Sequence, residues 1–543
     1  MGGSINDSLL RLRRFLRTGL EGSRYQAGGV RAAGAKFSSE SAPTLHALVE
    51  GTMAPMVLEE LLRLVDDTEK NSQRHAACPE AVAYSLALCA ASDHRPTKQA
   101  AYAAFPQASI VCKCPAQLFA VTRYLEEVSE GTGWGRAHRR AVARWYTAPE
   151  GSGARQLAAQ TTRVVRRHRW THADLLRLAH VRPPQHRPGV AVVLRYLARG
   201  LPAAAKMVEE KEAEGGNVEE AREALAYLQA VHEVRHTKDE QVAARLLEEH
   251  QLALEHVPSH LLRSKEVWLC LVRRLPLDEL VTHVPRLSRA GLLARGPLVG
   301  ALRERLRSAT EQNPPKLGPL ETYALKRSLE VGRPKNHHHH HHRSSASHQL
   351  DDVVAALHEH SFKAVSPTGK RYLVAVDVRG PMTHGRTRGL DGLTPAEVSA
   401  LMLQALVRTG DTITAVAFSA RGLTPLDVDS RMSLADISRR MRETPMGPVD
   451  VSLPLRWARD QKHLFDLVLV CTDNQTQSWS VHPAQALKEY RESCSLPDTR
   501  FVVCAMCSQG FSLAPPDELG MLDMAGCDSH TLQLIQDFAT GNF

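Results

Sequence analysis

Between residue 8 and about residue 330, apolar positions recur at i, i+3, i+4 and i+7, the stripe of an amphipathic helix. VLEELLRLVDDTE, PEAVAYSLALCAAS, TKQAAYAAF, PAQLFAVTRYLEEVSE, HRRAVARWY and DLLRLAHV each carry it. Gly, Pro or a helix-capping residue such as Thr97, Asp174 or Ser264 separates them. No stretch of this region alternates apolar with polar residues, so no strand is predicted in it. Short amphipathic helices in series bury their apolar faces by stacking as antiparallel pairs, which predicts an α-solenoid. No fixed period is visible, so the repeats are irregular.

From Lys370 the rhythm changes. RYLVAVDV, DTITAVAFS, FDLVLVCTDN and RFVVCAMC read as strands. TPAEVSALMLQALVRTG, SLADISRRMRE, SLPLRWARDQ, AQALKEYRESC and TLQLIQDFA read as helices. The apolar run at 372–376 is that of a strand buried on both faces. Strands alternating with helices imply right-handed crossovers and a doubly wound parallel sheet. The predicted fold class is therefore α plus α/β, with a helical-repeat domain at 8–365 and a sheet domain at 366–543. A run of six histidines at 337–342 reads as a low-complexity loop near the junction. No GxGxxG follows the first strand, and GTGWGR at 131–136 follows a helix, so no dinucleotide or phosphate cradle is predicted.

Composition narrows the class. The chain has 543 residues, 43% hydrophobic and 23% charged, which is globular composition. No apolar run approaches the roughly 20 residues that span a bilayer. The Arg-rich start LLRLRRFLR has the look of a mitochondrial presequence, but it is read as a first structural helix. MGGSIN lacks the hydroxyl at position 6 that a myristoylation signal needs. Ten scattered cysteines fit a reduced compartment rather than a disulfide framework. Cys112 and Cys114 are expected in the core. Alternation sends Cys504 and Cys507 to opposite faces of a strand, which argues against a redox or zinc pair.

Charge is uneven. Residues 366–543 hold 17 Lys and Arg against 20 Asp and Glu, so the net charge of +9 comes from the helical part. It peaks between Arg136 and Arg187, with twelve Arg, five His and two acids, Glu150 and Asp174. Arginine forks onto phosphate and stacks on bases. Trp134, Trp145, Tyr146 and Trp170 are interleaved with it, a combination suited to single-stranded RNA. For any one residue the plain reading is a solvated basic face with core aromatics; the cluster as a whole points to nucleic acid. On helical spacing Arg163 and Arg167 share one face, and His180 ends the next helix, where a histidine is often only a cap.

The blocks WGRAHRRAVARWY, RWTHADLLRLAHVRP, HLLRSKEVW, PTGKRYLVAVDV, VDVSLPLRWA, CTDNQT, VHPAQALKEYR and GMLDMAGCDS, in this order, resemble the family of the sixty-kilodalton Ro/SS-A autoantigen. The resemblance runs from Leu12 onward and is weakest at 185–225, 283–350 and 383–395. It implies a ring of irregular, HEAT-like helical repeats, the TROVE module, closed by a von Willebrand factor A-like domain. It implies a non-catalytic ribonucleoprotein component that is cytoplasmic, with nuclear entry left open. Small Y RNAs would bind the ring's outer surface and misfolded RNA ends its central hole, for RNA quality control and stability. RNA-processing proteins would be further partners of a monomer. The family's outer-surface RNA contacts fall on Arg163, Arg167 and His180. Arg136, Arg139, Arg140, Arg166 and Arg169 are added from composition alone.

The same resemblance implies a metal-ion-dependent adhesion motif, Asp-x-Ser-x-Ser followed by Thr and Asp, holding Mg²⁺. Here Asp377 and Asp473 survive, while Arg379, Pro381 and Val449 replace the three hydroxyls. Hard cations need oxygen ligands, so no metal and no cofactor is expected. Arg379 is expected to bridge Asp377 or Asp473; the plainer alternative leaves it in solvent. A nucleophile elbow is absent from the sequence, which argues against a hydrolase of that type. The alternative function is a protein–protein scaffold that keeps the fold and has lost RNA and metal.

Overall fold

The apolar stripes of the first two-thirds meet one another as helix pairs. In the computed structural model, which describes residues 5–28, 36–70, 77–106, 111–130, 134–147, 153–331, 348–474, 479–508 and 513–543, eighteen α-helices lie between Ile5 and Ser361. Pro79–Ala90 packs on Pro115–Val128, Pro188–Arg199 on Glu219–His236, and Lys265–Arg274 on Pro297–Ala309. In these pairs a helix meets its second neighbour in sequence, as in a stacked array, and one hydrophobic core runs through the helical part. Among the described residues no helix is long and apolar enough to cross a membrane. The histidine run, residues 131–133 and Glu150 lie outside the described residues.

Caps follow local chemistry with two shifts from expectation. Ser264 caps its helix, its hydroxyl accepting from Val267 N. Thr97 does not cap; the imidazole of His94 accepts the Thr97 N–H instead. Asp174 is the third residue of a helix capped by Thr171, and the two form a reciprocal capping box.

The helical part also contains strands, contrary to the expectation of none. These are β1 (Arg24–Gln26) and a hairpin of β2 (Arg166–Arg167) and β3 (Trp170–Thr171). Two or three residues are too few to show alternation. The second domain contributes β4 (Arg371–Val376), β5 (Thr412–Ser419), β6 (Gly422–Pro425), β7 (Leu467–Thr472), β8 (Arg500–Ala505) and β9 (Met521–Ala525). The sheet order is β1-β9-β8-β7-β4-β5-β6. Every pair in it is parallel except β5–β6. Separate apolar cores cover its two faces, as a doubly wound sheet requires.

The start of the chain therefore edges the sheet of its last domain. The helix Ile5–Thr18 is structural, with Leu12, Phe15 and Leu16 buried against the helical core. Its Arg14, fully buried, donates Nη2 to the carbonyls of Leu519 (2.8 Å) and Phe543 (3.1 Å). Arg17 pairs with Asp537 at 2.8 Å. Tyr25 donates its hydroxyl to Asp528 (2.6 Å). Gly28 sits at φ +61 against Gly389, where a Cβ would lie 2.7 Å from the Gly389 Cα. At the other end of the helical array, Pro319–Val331 packs on Pro395–Arg408 of the sheet domain. Array and sheet thus form a closed circuit joined at both ends, and the division at 365/366 is crossed by β1.

Candidate nucleic-acid interface

The helix Ala154–Arg163 stops because its last turn turns away from helix formation. Thr161 and Thr162 return their hydroxyls to the carbonyls of Leu157 and Ala158, and the β-branched Val164 and Val165 follow. His172 then takes the freed Val164 carbonyl at 2.7 Å. The chain folds back as the β2–β3 hairpin, with Arg166 opposite Thr171 and Arg167 opposite Trp170. Arg163 and Arg167 therefore do not share a helix face: one ends the helix and the other lies on a strand.

Two residues make the hairpin turn, His168 at φ +55 and Arg169 at φ +69. Positive φ at both positions is the type I′ signature, normally met by Asn-Gly. Side chains are disfavoured in that conformation, so an anchor must hold it. His168 is that anchor. Its ring is buried, with Nε2 3.3 Å from Glu80 and Nδ1 3.3 Å from the Arg123 guanidinium. Tyr124 donates its hydroxyl to the same Glu80 at 2.5 Å. Burial opposes ionisation of Glu80, but the bonds from His168 and Tyr124 outweigh it and hold its carboxyl below the ordinary value. With His168 turned inward, Arg166, Arg167 and Arg169 face solvent.

The helix Arg136–Thr147 starts beside this hairpin. Trp134 stacks on His138 (ring centroids 4.1 Å, 12° between planes) and meets Trp170 edge-on at 6.0 Å. Both tryptophans are half-buried. Arg136, Arg139 and Arg140 are exposed on the first turns of the helix. Trp145 and Tyr146 are fully buried, so these two aromatics are core and not stacking surfaces.

Arginine pairing separates the candidates further. Among the described residues Arg136, Arg139, Arg140, Arg166, Arg167 and Arg169 make no ion pair and no side-chain hydrogen bond. Arg163, by contrast, donates Nη2 to Glu255 at 3.0 Å, with both side chains somewhat over a third exposed. Burial works against the Glu255 carboxylate, and Arg163 overcomes it. His180 lies at φ +52, two residues past the helix His172–Leu178. Val181 N reaches Leu176 O and His180 N reaches Arg177 O, which is a Schellman closure with His180 at the position glycine normally takes. Its side chain is exposed.

Buried imidazoles brace this region from below. Burial pushes the rings of His138, His172 and His256 down to about 4. His172 receives the Tyr146 hydroxyl on Nδ1 (2.6 Å) while Nε2–H serves Val164. His256 accepts the Ala253 N–H on Nδ1 (3.0 Å) and places Nε2 2.8 Å from the Thr162 hydroxyl. Each pattern uses one ring nitrogen as acceptor and so holds the ring neutral.

At the carboxyl end of the sheet, adjacent β4 and β7 deliver Asp377 and Asp473. Arg379 lies against both, the bridging arrangement expected from the sequence rather than the solvent-facing one. Its Nε reaches Asp377 Oδ1 at 3.0 Å, and its Nη2 reaches Asp377 Oδ2 at 2.8 Å and Asp473 Oδ1 at 3.1 Å. The Arg379 N–H and the Thr472 hydroxyl complete Asp377. Asp450 is served separately by Ser452, Ser480 and Arg456 (Nη2 2.8 Å), a set the sequence did not single out. Pro381 begins a short helix and Val449 is buried in the core. These donors do not fit a hard divalent ion: a guanidinium at about 4 Å costs roughly 4 kcal/mol per unit of ion charge at an effective dielectric near 20.

Residues 6–322 match the TROVE domain family and residues 371–539 match the Ro60 vWA domain family. A relative from Caenorhabditis elegans named RNA-binding protein RO60 is 27% identical over 98% of this chain and 87% of its own length. One of the same name from Deinococcus radiodurans is 27% identical over 98% of this chain and 92% of its own. The crystal structure of the Deinococcus radiodurans RO (RSR) protein superposes with a TM-score of 0.79 at 25% identity, covering 99% of this chain and all of that one. The helical array, the sheet that follows it and the TROVE match over more than half the length lead to one conclusion: this chain belongs to the TROVE family and joins that module to a Ro60-type vWA domain.

Proposed function

We propose that this chain is the RNA-binding component of a cytoplasmic ribonucleoprotein, without catalytic activity. Its partners are small structured non-coding RNAs of the Y RNA type, held on the outside of the ring, and misfolded RNAs whose ends enter its centre. It serves RNA quality control and stability. The observation that carries this reading is the set of six exposed arginines, Arg136, Arg139, Arg140, Arg166, Arg167 and Arg169, with no partner among the described residues. They lie on two elements that the Trp134–Trp170 contact ties together. A folded protein gains nothing from assembling unpaired like charges, which repel; a polyanion that releases counterions on binding gives them a use. Half-buried Trp134 and Trp170 add apolar surface on which an unpaired base can stack.

Arg163 and His180 flank this surface with different standing. Arg163 already donates Nη2 to Glu255, so a phosphate would compete with that carboxylate for its charge. His180 is exposed, its side chain has no partner among the described residues, and it can act directly. The supporting names are those of the two relatives, each called RNA-binding. Titrating a stem-containing RNA with a single-stranded tail by gel shift, across a salt series, tests the reading. Steep salt dependence supports it, and absence of binding at low salt removes it.

A further inference from the structure

We propose that Arg379 is a tethered counter-cation that makes the carboxyl face of the sheet independent of divalent metal and closed to acidic ligands. Asp377 is fully buried and Asp473 nearly so, and both are bonded to one guanidinium. Buried carboxylates at adjacent strand ends repel unless a cation lies between them. Arg379 is held there by its own backbone, since its N–H also donates to Asp377 Oδ1 at 2.9 Å. The oxygens are accounted for. Asp377 takes two arginine donors and the backbone N–H, with the Thr472 hydroxyl at 2.9 Å. Asp473 takes Arg379 on Oδ1 and Asn474 Nδ2 on Oδ2 at 3.3 Å. The third carboxylate at this face, Asp450, is neutralised by Arg456.

Charge decides what the face can hold. One guanidinium against Asp377 and Asp473 leaves the cluster one unit negative. A divalent ion between two carboxylates would leave it neutral with a coordination place open. A partner's carboxylate is therefore repelled here, where an ion would have received it. The same excess negative charge means the cluster depends on Arg379 and has nothing else to fall back on.

The test uses the full-length protein freed of nucleic acid. Thermal unfolding of the sheet domain is followed in EDTA and in millimolar MgCl₂ or MnCl₂, alongside calorimetric titration with MnCl₂. The wild type is expected to melt at the same temperature in all three and to give no specific heat of binding. Arg379→Ala is expected to melt roughly 6–12 °C lower in EDTA, and to recover part of that loss in Mg²⁺ or Mn²⁺. Arg379→Ala with Asp377→Asn removes the recovery. A stoichiometric Mn²⁺ site in the wild type that disappears in Asp377→Asn overturns the proposal. So does an Arg379→Ala protein that is as stable as the wild type. If Arg379→Ala does not fold, the wild-type titration against Asp377→Asn decides alone.

Discussion

His180 occupies a position that glycine would fill at lower cost, and this gives a prediction in which stability and binding move in opposite directions. A non-glycine residue in the left-handed region is disfavoured by roughly 1–2 kcal/mol. Glycine returns part of that through the greater freedom it adds to the unfolded chain, about 0.4–1 kcal/mol. The Schellman bonds, Val181 N to Leu176 O and His180 N to Arg177 O, are backbone bonds and survive the change. His180→Gly should therefore stabilise the helical domain by about 0.5–1 kcal/mol, a rise of about 1–2 °C in its melting temperature. His180→Ala keeps the strain and should melt close to the wild type. Both variants lose the imidazole, so both should bind the stem-and-tail RNA about fivefold more weakly, the worth of one hydrogen bond of about 1 kcal/mol. Circular dichroism melting and gel shift on the same preparations measure both quantities. If His180→Gly binds RNA as well as the wild type, His180 is only a cap. If it melts lower, the strain argument is wrong.

Two further outcomes follow from the site. Glu255→Gln frees Arg163 and removes a negative charge beside the basic surface. RNA affinity should rise about two- to fivefold, the range of an exposed ion pair, and weaker binding by gel shift would contradict the pairing described. The buried rings of His138, His172 and His256 titrate near 4 when folded against about 6.5 when unfolded. The unfolded chain then binds more protons between those values. Their contribution to stability is complete above pH 6.5 and is lost as pH falls toward 4, by up to about 1.4 kcal/mol per pH unit for each ring. Urea midpoints of the helical domain measured from pH 7 to pH 5 should fall; a flat or rising series would show that these rings are not held neutral.

Much of the fold was legible because it rests on long, regular patterns. The strands at 371–376, 467–472 and 500–505 are apolar runs buried on both faces, 412–419 is buried from Ala415 on, and the amphipathic helices carry clear stripes. β6 escaped because GLTP is a half-exposed edge without an apolar run. β9 escaped because Asp523 interrupts MLDMA; its carboxylate is buried and satisfied by Leu513 N and Ala514 N, which pattern cannot show. Arg163 and Arg167 fit helical spacing by coincidence, and the hairpin turn at His168–Arg169 lacks the Asn-Gly that would have announced it. Composition found the arginine cluster. Which arginines are free was hidden, because Glu255 lies 92 residues from Arg163 and Glu80 lies far from His168 in sequence. Arg379 was readable since its partner Asp377 is two residues away in one loop.

The central claim is that the unpaired arginines of the hairpin hold RNA phosphates. The most direct measurement compares the wild type with Arg166→Ala/Arg167→Ala/Arg169→Ala, titrating the stem-and-tail RNA from 50 to 200 mM salt. The three side chains touch no partner within the described residues, so the fold and its melting temperature should be unchanged. The slope of log affinity against log salt should flatten by about 2 to 3, as expected for three lost phosphate contacts. Equal slope and equal affinity in the two proteins would place the RNA elsewhere or nowhere on this chain.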